Sequence, residues 1–293
     1  MDALLQQIVS GLATGGIYAA VALSLVMTYV ATNAVNFAQG EMAMFSTFLA
    51  WAFIQSGMPY WAAFFITLAI SFVGGVAIER TVLRPLERAP VLAITIVTIG
   101  LLAIFNSMAG WIFDYTVRPF PSPFSASPLR LGGVVLSSHS VGSLAVTLGL
   151  IGAVYVLFRH TPLGLAMRAS AQYPMASRLV GIRVGWMLAL GWGFAATIGA
   201  VAGMLVAPVL FLEPNMMAGI LIYAFASATL GGFTSPVGAV VGGFLVGIIE
   251  NLAGTYIRFI GTDLKLTIAL AIIVLVLIFK PSGLFGRPQA HQA

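Results

Sequence analysis

The chain has 293 residues, of which 60% are hydrophobic and only 7% charged, and its formal net charge is +5. A soluble domain carries about 25% charged residues, so a water-soluble surface is excluded and lipid must cover much of the outside. With no cysteine there is no disulfide framework or thiolate metal site, and the 13 basic residues are scattered between apolar stretches, which fits membrane orientation rather than nucleic-acid binding.

Crossing the hydrocarbon core takes about 20 apolar residues. The first such stretch runs from Leu4 to Tyr29. Its only early charge is Asp2 and it is too long for a signal peptide, so it is expected to be the first spanning helix of the mature protein. After a polar break at Thr32, Asn33 and Asn36, a second stretch covers Phe37–Ile54, and a Gly57-Met58-Pro59 turn leads to a third, Trp61–Ile78. A charged segment with Glu79, Arg80, Arg84, Glu87 and Arg88 precedes the fourth stretch, Val91–Phe113.

The loop over 114–138 holds Pro119, Pro121, Pro123 and Pro128, which disfavour regular helix, and Leu129–Leu136 has the pattern of a short hairpin outside the bilayer. The fifth span covers Val141–Phe158, and the polar stretch Arg159–Arg183 separates it from the sixth, Trp186–Leu210. Within that stretch Pro162 and Pro174 are each placed to start a short helix, since proline suits the first helical turn. The apolar piece Ala218–Leu230 is short and ends at Gly231-Gly232, as a broken or re-entrant helix would near 218–236. Spans Val237–Tyr256 and Leu264–Phe279 follow, and Lys280, Pro281 and Gly283 end the last. The expected fold is an all-α polytopic bundle of eight or nine spans forming a single transmembrane domain over 1–293.

Orientation follows from the basic residues. Arg80, Arg84, Arg88, Arg159, Arg168, Arg178, Arg183, Lys280 and Arg287 fall in one set of loops, and Arg118, Arg130, Arg258 and Lys265 in the other, nine against four. The first set is therefore expected in the cytoplasm, with the N-terminus and the 114–138 loop outside; nine crossings then leave the C-terminus inside.

Little in the chain supports enzymatic chemistry. The only lysines, Lys265 and Lys280, follow no phosphate-binding loop, so this chain is not expected to hydrolyse ATP by that route. His139, His160 and His291 lie far apart without clustered carboxylates, so neither a metal site nor a cofactor is expected. Glu41 and Glu250 fall in or near apolar spans, where a carboxylate faces a cavity or a partner. Solute contact or gating is one reading. The other is structural: a helix-start role for Asn36 and Glu41, and interhelical hydrogen bonding for Glu250. Two isolated carboxylates make a thin proton relay, which weighs against a secondary carrier.

With these residues in view, the chain resembles the membrane permeases of the branched-chain amino-acid importers of the ATP-binding-cassette class, and more the first of the two paired permeases than the second. Five blocks in order carry the resemblance: VNFAQGEMAMF at 35–45, ERTVLRPLERAP at 79–90, TPLGLAMRASAQYPMASRLVGI at 161–182, GGFTSPVGAVVGGFLVGIIEN at 231–251 and FKPSGLFG at 279–286. The resemblance implies a multi-pass protein of the bacterial inner membrane that pairs with a second permease and two cytoplasmic ATPase subunits. A periplasmic solute-binding protein would deliver a small-molecule solute, and no nucleic acid is involved. It also implies that 159–185 is the segment that couples to an ATPase, with Gly164, Arg168, Ala176, Arg178, Gly181 and Ile182 carrying the contact. In importers of this class the docking motif is often Glu-Ala-Ala, three residues, then Gly; here Met175, Ala176 and Ser177 stand in those places, with Gly181 at the matching spacing. Asn36, Gln39, Glu41, Gly231, Gly232, Glu250 and Asn251 are the implied solute-pathway residues, Gln39 standing where a histidine is common. The alternative class is an ATP-independent channel or secondary carrier for a small polar solute.

Overall fold

The structure, a computed structural model, describes residues 2–87, 89–125, 127–131, 134–257, 261 and 264–286. Among these the chain forms eleven α-helices: α1 Asp2–Thr32, α2 Gln39–Gln55, α3 Tyr60–Ile78, α4 Val91–Phe113, α5 Ser138–His160, α6 Pro162–Gln172, α7 Pro174–Leu179, α8 Val184–Leu210, α9 Met217–Gly231, α10 Pro236–Tyr256 and α11 Lys265–Phe279. The expected hairpin is present as antiparallel strands β1 (Leu129–Leu131) and β2 (Val134–Leu136). Arg88, Arg258, Arg287 and His291 of the sequence reading lie outside the described residues, as does the side chain of Arg130.

Among the described residues six helical segments are long and apolar enough to cross a membrane: Leu4–Thr32, Tyr60–Leu86, Val91–Phe113, Ser138–His160, Val184–Leu210 and Pro236–Tyr256. Helices α2, α9 and α11 have 17, 15 and 15 residues. At about 1.5 Å per residue they fall short of a hydrocarbon core about 30 Å thick. The protein is thus a polytopic helical membrane protein, and eight or nine crossings require these shorter helices as well.

Local chemistry explains the boundaries. Helix α1 runs three residues past the expected Tyr29 and stops at Asn33, whose φ of 53° is the left-handed conformation that asparagine tolerates better than most residues. The charged segment after α3 does not break the helix at Ile78. It tightens and widens it instead, through a π-helical turn Glu79–Leu83 and a 3₁₀ turn Arg84–Leu86. Both prolines expected to open short helices do so: Pro162 starts α6, capped by the Thr161 hydroxyl accepting from the Gly164 N–H at 3.0 Å, and Pro174 starts α7.

The chain falls into two compact units, the first Met1–Val26, Phe124–Thr147 and Gly219–Ala293, the second Met27–Pro123 and Leu148–Ala218. In the first, α1 and α10 pack antiparallel through two glycine pairs spaced four apart, Gly11 and Gly15 against Gly243 and Gly247; a Cβ on Gly15 would lie 2.9 Å from the Phe244 Cα. The end of α9 is tied to the segment after α11, because the Leu284 and Phe285 amides donate to the carbonyls of Leu230 and Gly231. In the second unit α8 is the central helix, packed on α2, α3 and α6. A Cβ on Gly75 of α3 would meet the Trp192 carbonyl at 2.5 Å, so a glycine there sets the α3–α8 spacing. Trp192, Ala196, Met42, Leu83, Ile94 and Leu101 form a buried apolar cluster around this contact.

Candidate functional site

Three polar constellations stand out, one in the first unit and two in the second. In the first unit, Glu250 is 7% exposed on α10. The Tyr18 hydroxyl of α1 donates to its Oε2 at 2.8 Å, and the Lys265 ammonium of α11 lies 3.6 Å from its Oε1. Tyr18 stacks on Tyr223 of α9, ring centroids 4.6 Å apart and planes 7° from parallel. One carboxylate therefore joins α1, α10 and α11, with a tyrosine pair extending the cluster to α9. Neighbouring Asn251 turns to its own helix, donating to the Gly247 carbonyl at 3.3 Å. Gly231 and Gly232 pack against Gly238, Ser282 and Gly286, and Gly232 takes φ 102°, which ends α9.

In the second unit the N-terminal end of α2 holds Asn36, Gln39 and Glu41, all buried. Asn36 is a local organiser. Its Oδ1 accepts from the Ala38 N–H at 3.1 Å and its Nδ2 donates to the Gln39 Oε1 at 3.1 Å. Gln39 in turn donates to the Ala195 carbonyl at 3.0 Å, clamping α2 on α8. Glu41 faces another way: Asn106 of α4 donates to its Oε2 at 3.3 Å and also lies 3.1 Å from both the Pro214 carbonyl and the Asn215 Oδ1. Asn36 thus bonds the backbone just ahead of α2, and Glu41 lies in the first turn of that helix with an interhelical partner as well.

The third constellation surrounds α6 and α7. Gly164 is buried against the Leu157 and Phe158 backbone at the end of α5. Arg168 is half-buried, its Nε without a hydrogen-bond partner. Arg178 pairs with Glu87 at 3.1 Å, Ala176 is exposed, and Gly181 takes φ 84° in the turn before α8, with Ile182 half-buried beside it. Met175, Leu179 and Val180 are 72%, 89% and 76% exposed. Close by, the Arg80 guanidinium lies 3.4 Å over the Trp186 ring.

The structure brings Glu41, Asn36 and Gln39 onto one helix end and Glu250 and Asn251 onto another. Tyr18, Tyr223, Lys265, Asn106 and Asn215 are the partners that sequence reasoning missed. A tyrosine or asparagine in an apolar span carries no signal of its own; the only available hint was that an intramembrane carboxylate needs a donor. Among the described residues no three His, Asp or Glu side chains gather as a metal site would require.

Several membrane-length helices packed through glycine, with buried carboxylates held between helices, define a polytopic helical membrane protein. The chain belongs to the family of branched-chain amino acid transport system permease components, which it matches over residues 7–277. It is 30% identical to the high-affinity branched-chain amino acid transport system permease protein BraD of Pseudomonas aeruginosa, over 98% of this chain and 97% of that one. It is 29% identical to the corresponding permease protein LivH of Escherichia coli K12, again over 98% and 97%. Against the probable branched-chain amino acid transport permease protein LivH of Methanocaldococcus jannaschii the identity is 28% over 90% and 87%. In overall fold it is similar to the solved structure of PsaBC from Streptococcus pneumoniae in complex with Fab, with a TM-score of 0.51, 12% identity, and 95% and 92% of the two chains covered.

Proposed function

We propose that this chain is the permease subunit of an ATP-driven importer that moves branched-chain amino acids or a related small polar solute across the bacterial inner membrane. It works with a second permease, two cytoplasmic ATPases and a periplasmic solute-binding protein. The observation that carries this is α7 with its flanks. Met175, Leu179 and Val180 stand exposed along and just past a short helix that Arg178 anchors to Glu87. Apolar residues held out in this way mark a surface that another protein or a membrane covers, and beside the ion-paired Arg178 and Glu87 we take the cover to be protein. An ATPase groove is that cover, and 159–185 is the coupling segment, with Gly164, Arg168, Ala176, Arg178, Gly181 and Ile182 as its contact and hinge residues.

The N-terminus and the 114–138 loop lie outside, and nine crossings place the C-terminus inside. The basic-residue count sets the direction, and two juxtapositions support the grouping of linkers on shared faces. The Arg118 and Leu212 backbones bond to each other, joining two linkers assigned outside. Arg178 with Glu87 joins two assigned inside. ATP binding closes the ATPases, the coupling segment follows, and the bundle rocks between outward and inward access. Glu41 and Glu250 are the charged members of the solute pathway. Asn36, Gln39, Gly231, Gly232 and Asn251 shape the helix ends that carry them.

The test is solute uptake in proteoliposomes with this chain, its second permease, ATPases and binding protein. Uptake of leucine or a related solute that needs the full set and ATP is expected. Uptake by this chain alone, without ATP, would sink the reading in favour of a channel or carrier.

A further inference from the structure

A cavity of about 270 Å³ lies in the second unit where the end of α1, the turns after α3, the α6–α7 junction and the start of α8 meet. Ligand pockets run to about 300–1,000 Å³, so this one suits a small molecule. Its lining mixes Glu79, Arg84, Glu87 and Ser170 with apolar Leu83 and Ile94. Glu79 is 4% exposed and Ser170 1%, and the Glu79 Oε2 and the Ser170 Oγ are buried without a hydrogen-bond partner. Buried polar groups are normally satisfied, and an orphaned carboxylate oxygen costs more than an orphaned neutral group. Arg84 and Arg80 act on the Glu79 carboxylate only at longer range, since Arg84 forms none of the close ion pairs found among the described residues, and its guanidinium lies so close to Gly185 that a Cβ there would sit 2.5 Å from Nη2. Glu87 is already held by Arg178.

These groups select a ligand class by exclusion. A phosphate or other plain anion meets two carboxylates. A plain cation leaves Arg84 unused. An apolar molecule leaves Glu79 and Ser170 unsatisfied. A zwitterion with an apolar tail answers all of them. We propose that the cavity binds a free α-amino acid with an apolar side chain: its ammonium donates to Glu79 and Ser170, its carboxylate accepts from Arg84, and its side chain lies on Leu83 and Ile94. On the transport reading above, which this consequence rests on, the cavity faces the compartment that receives the solute. A ligand gripping α6, α8 and the post-α3 turns together favours one arrangement of the coupling segment, so delivered solute slows further import.

The test is equilibrium binding of tritiated leucine to the full chain in lipid nanodiscs, without binding protein. Saturable binding is expected, weakened at least tenfold in Arg84→Gln and in Glu79→Gln. Gly185→Ala, which displaces the guanidinium without touching a charge, is expected to weaken it too. Isopentylamine and 4-methylpentanoate, each leucine minus one charged group, should compete at least tenfold worse than valine. Absent binding, equal binding in all three variants, or equal competition by the one-charge analogues would each overturn the proposal. In the reconstituted importer, internal leucine should cut uptake several-fold in the wild type and less than twofold in Arg84→Gln, as a ratio within each protein. If uptake is absent altogether, the transport reading fails while the binding assay still decides the cavity. Leucine binding to the chain alone that vanishes in every nucleotide state of the assembled importer would assign the cavity to an ATPase element and overturn the amino-acid assignment.

Discussion

Tyr18 and Glu250 stand 232 positions apart, yet their 2.8 Å hydrogen bond and the 3.6 Å approach of Lys265 make one buried unit of three helices. A hydrogen bond to a buried carboxylate is worth more than a neutral one, because without it the charge loses a donor it cannot replace from lipid. Tyr18→Phe should therefore lower stability by about 1–3 kcal/mol, read as thermal unfolding in detergent. The same change on a Glu250→Gln background should cost clearly less, since an amide tolerates the loss of one donor better than a carboxylate does. Equal costs in both backgrounds would mean that the tyrosine acts only through its ring stack on Tyr223. At this scale the sequence was half legible. A lone glutamate between Ile248, Ile249 and Asn251 announces itself against an apolar background. Its donors do not, because pairing across 232 residues is set by how α1 and α10 cross, and that crossing is set by glycines elsewhere. Gln39 is the converse: the resemblance implied a place in the pathway, while its amide is spent on the Ala195 carbonyl.

Helices follow their local chemistry where strong signals act alone. Pro162 and Pro174 start α6 and α7 because a proline at the first turn sacrifices no helical hydrogen bond, and Gly232 ends α9 because φ 102° suits glycine. The π turn at Glu79–Leu83, which touches α8, had no such signal. The glycines of α1 and α10 gave no separate signal in the sequence, and only the packing shows their two four-residue spacings facing each other. Replacing Gly15 with leucine should therefore abolish folded protein in a size-exclusion assay, since the side chain would run into the Phe244 backbone. Gly149→Leu in α5, where an added Cβ meets nothing within 4 Å, should be accepted. The proposed coupling segment makes the opposite demand. Leu179 is 89% exposed, so Leu179→Asp should leave the unfolding temperature unchanged while cutting ATP-driven uptake at least tenfold. A matching loss of stability would place Leu179 in the fold rather than at a partner surface.

At the scale of the whole molecule, crossing number and orientation are one question, and its answer turns on α9. Among the described residues length gives six clear spans and leaves α2, α9 and α11 short. Hydrogen bonding supplies what length does not. Leu284 and Phe285, just beyond α11, bond to the carbonyls of Leu230 and Gly231 at the end of α9, so the two helices finish on the same side. Helix α10 starts at Pro236, five residues after α9 stops, so it begins on that side as well. If α9 crosses, Asn215 and Thr234 lie on opposite faces of the membrane; if it turns back, they share one. The chain contains no cysteine, so single cysteines can be introduced without background. An impermeant maleimide applied to intact spheroplasts should label Asn215→Cys and Ser56→Cys. It should reach Thr234→Cys and Thr81→Cys only after the membrane is opened. Labelling of Thr234→Cys from outside, with Ser56→Cys also labelled, would reduce the count to eight and return α9 to the face it entered from. Labelling of Thr81→Cys from outside and Ser56→Cys only from inside would invert the whole protein. The coupling segment would then lie away from any cytoplasmic ATPase, because Arg178 on α7 is bonded to Glu87, six residues beyond Thr81.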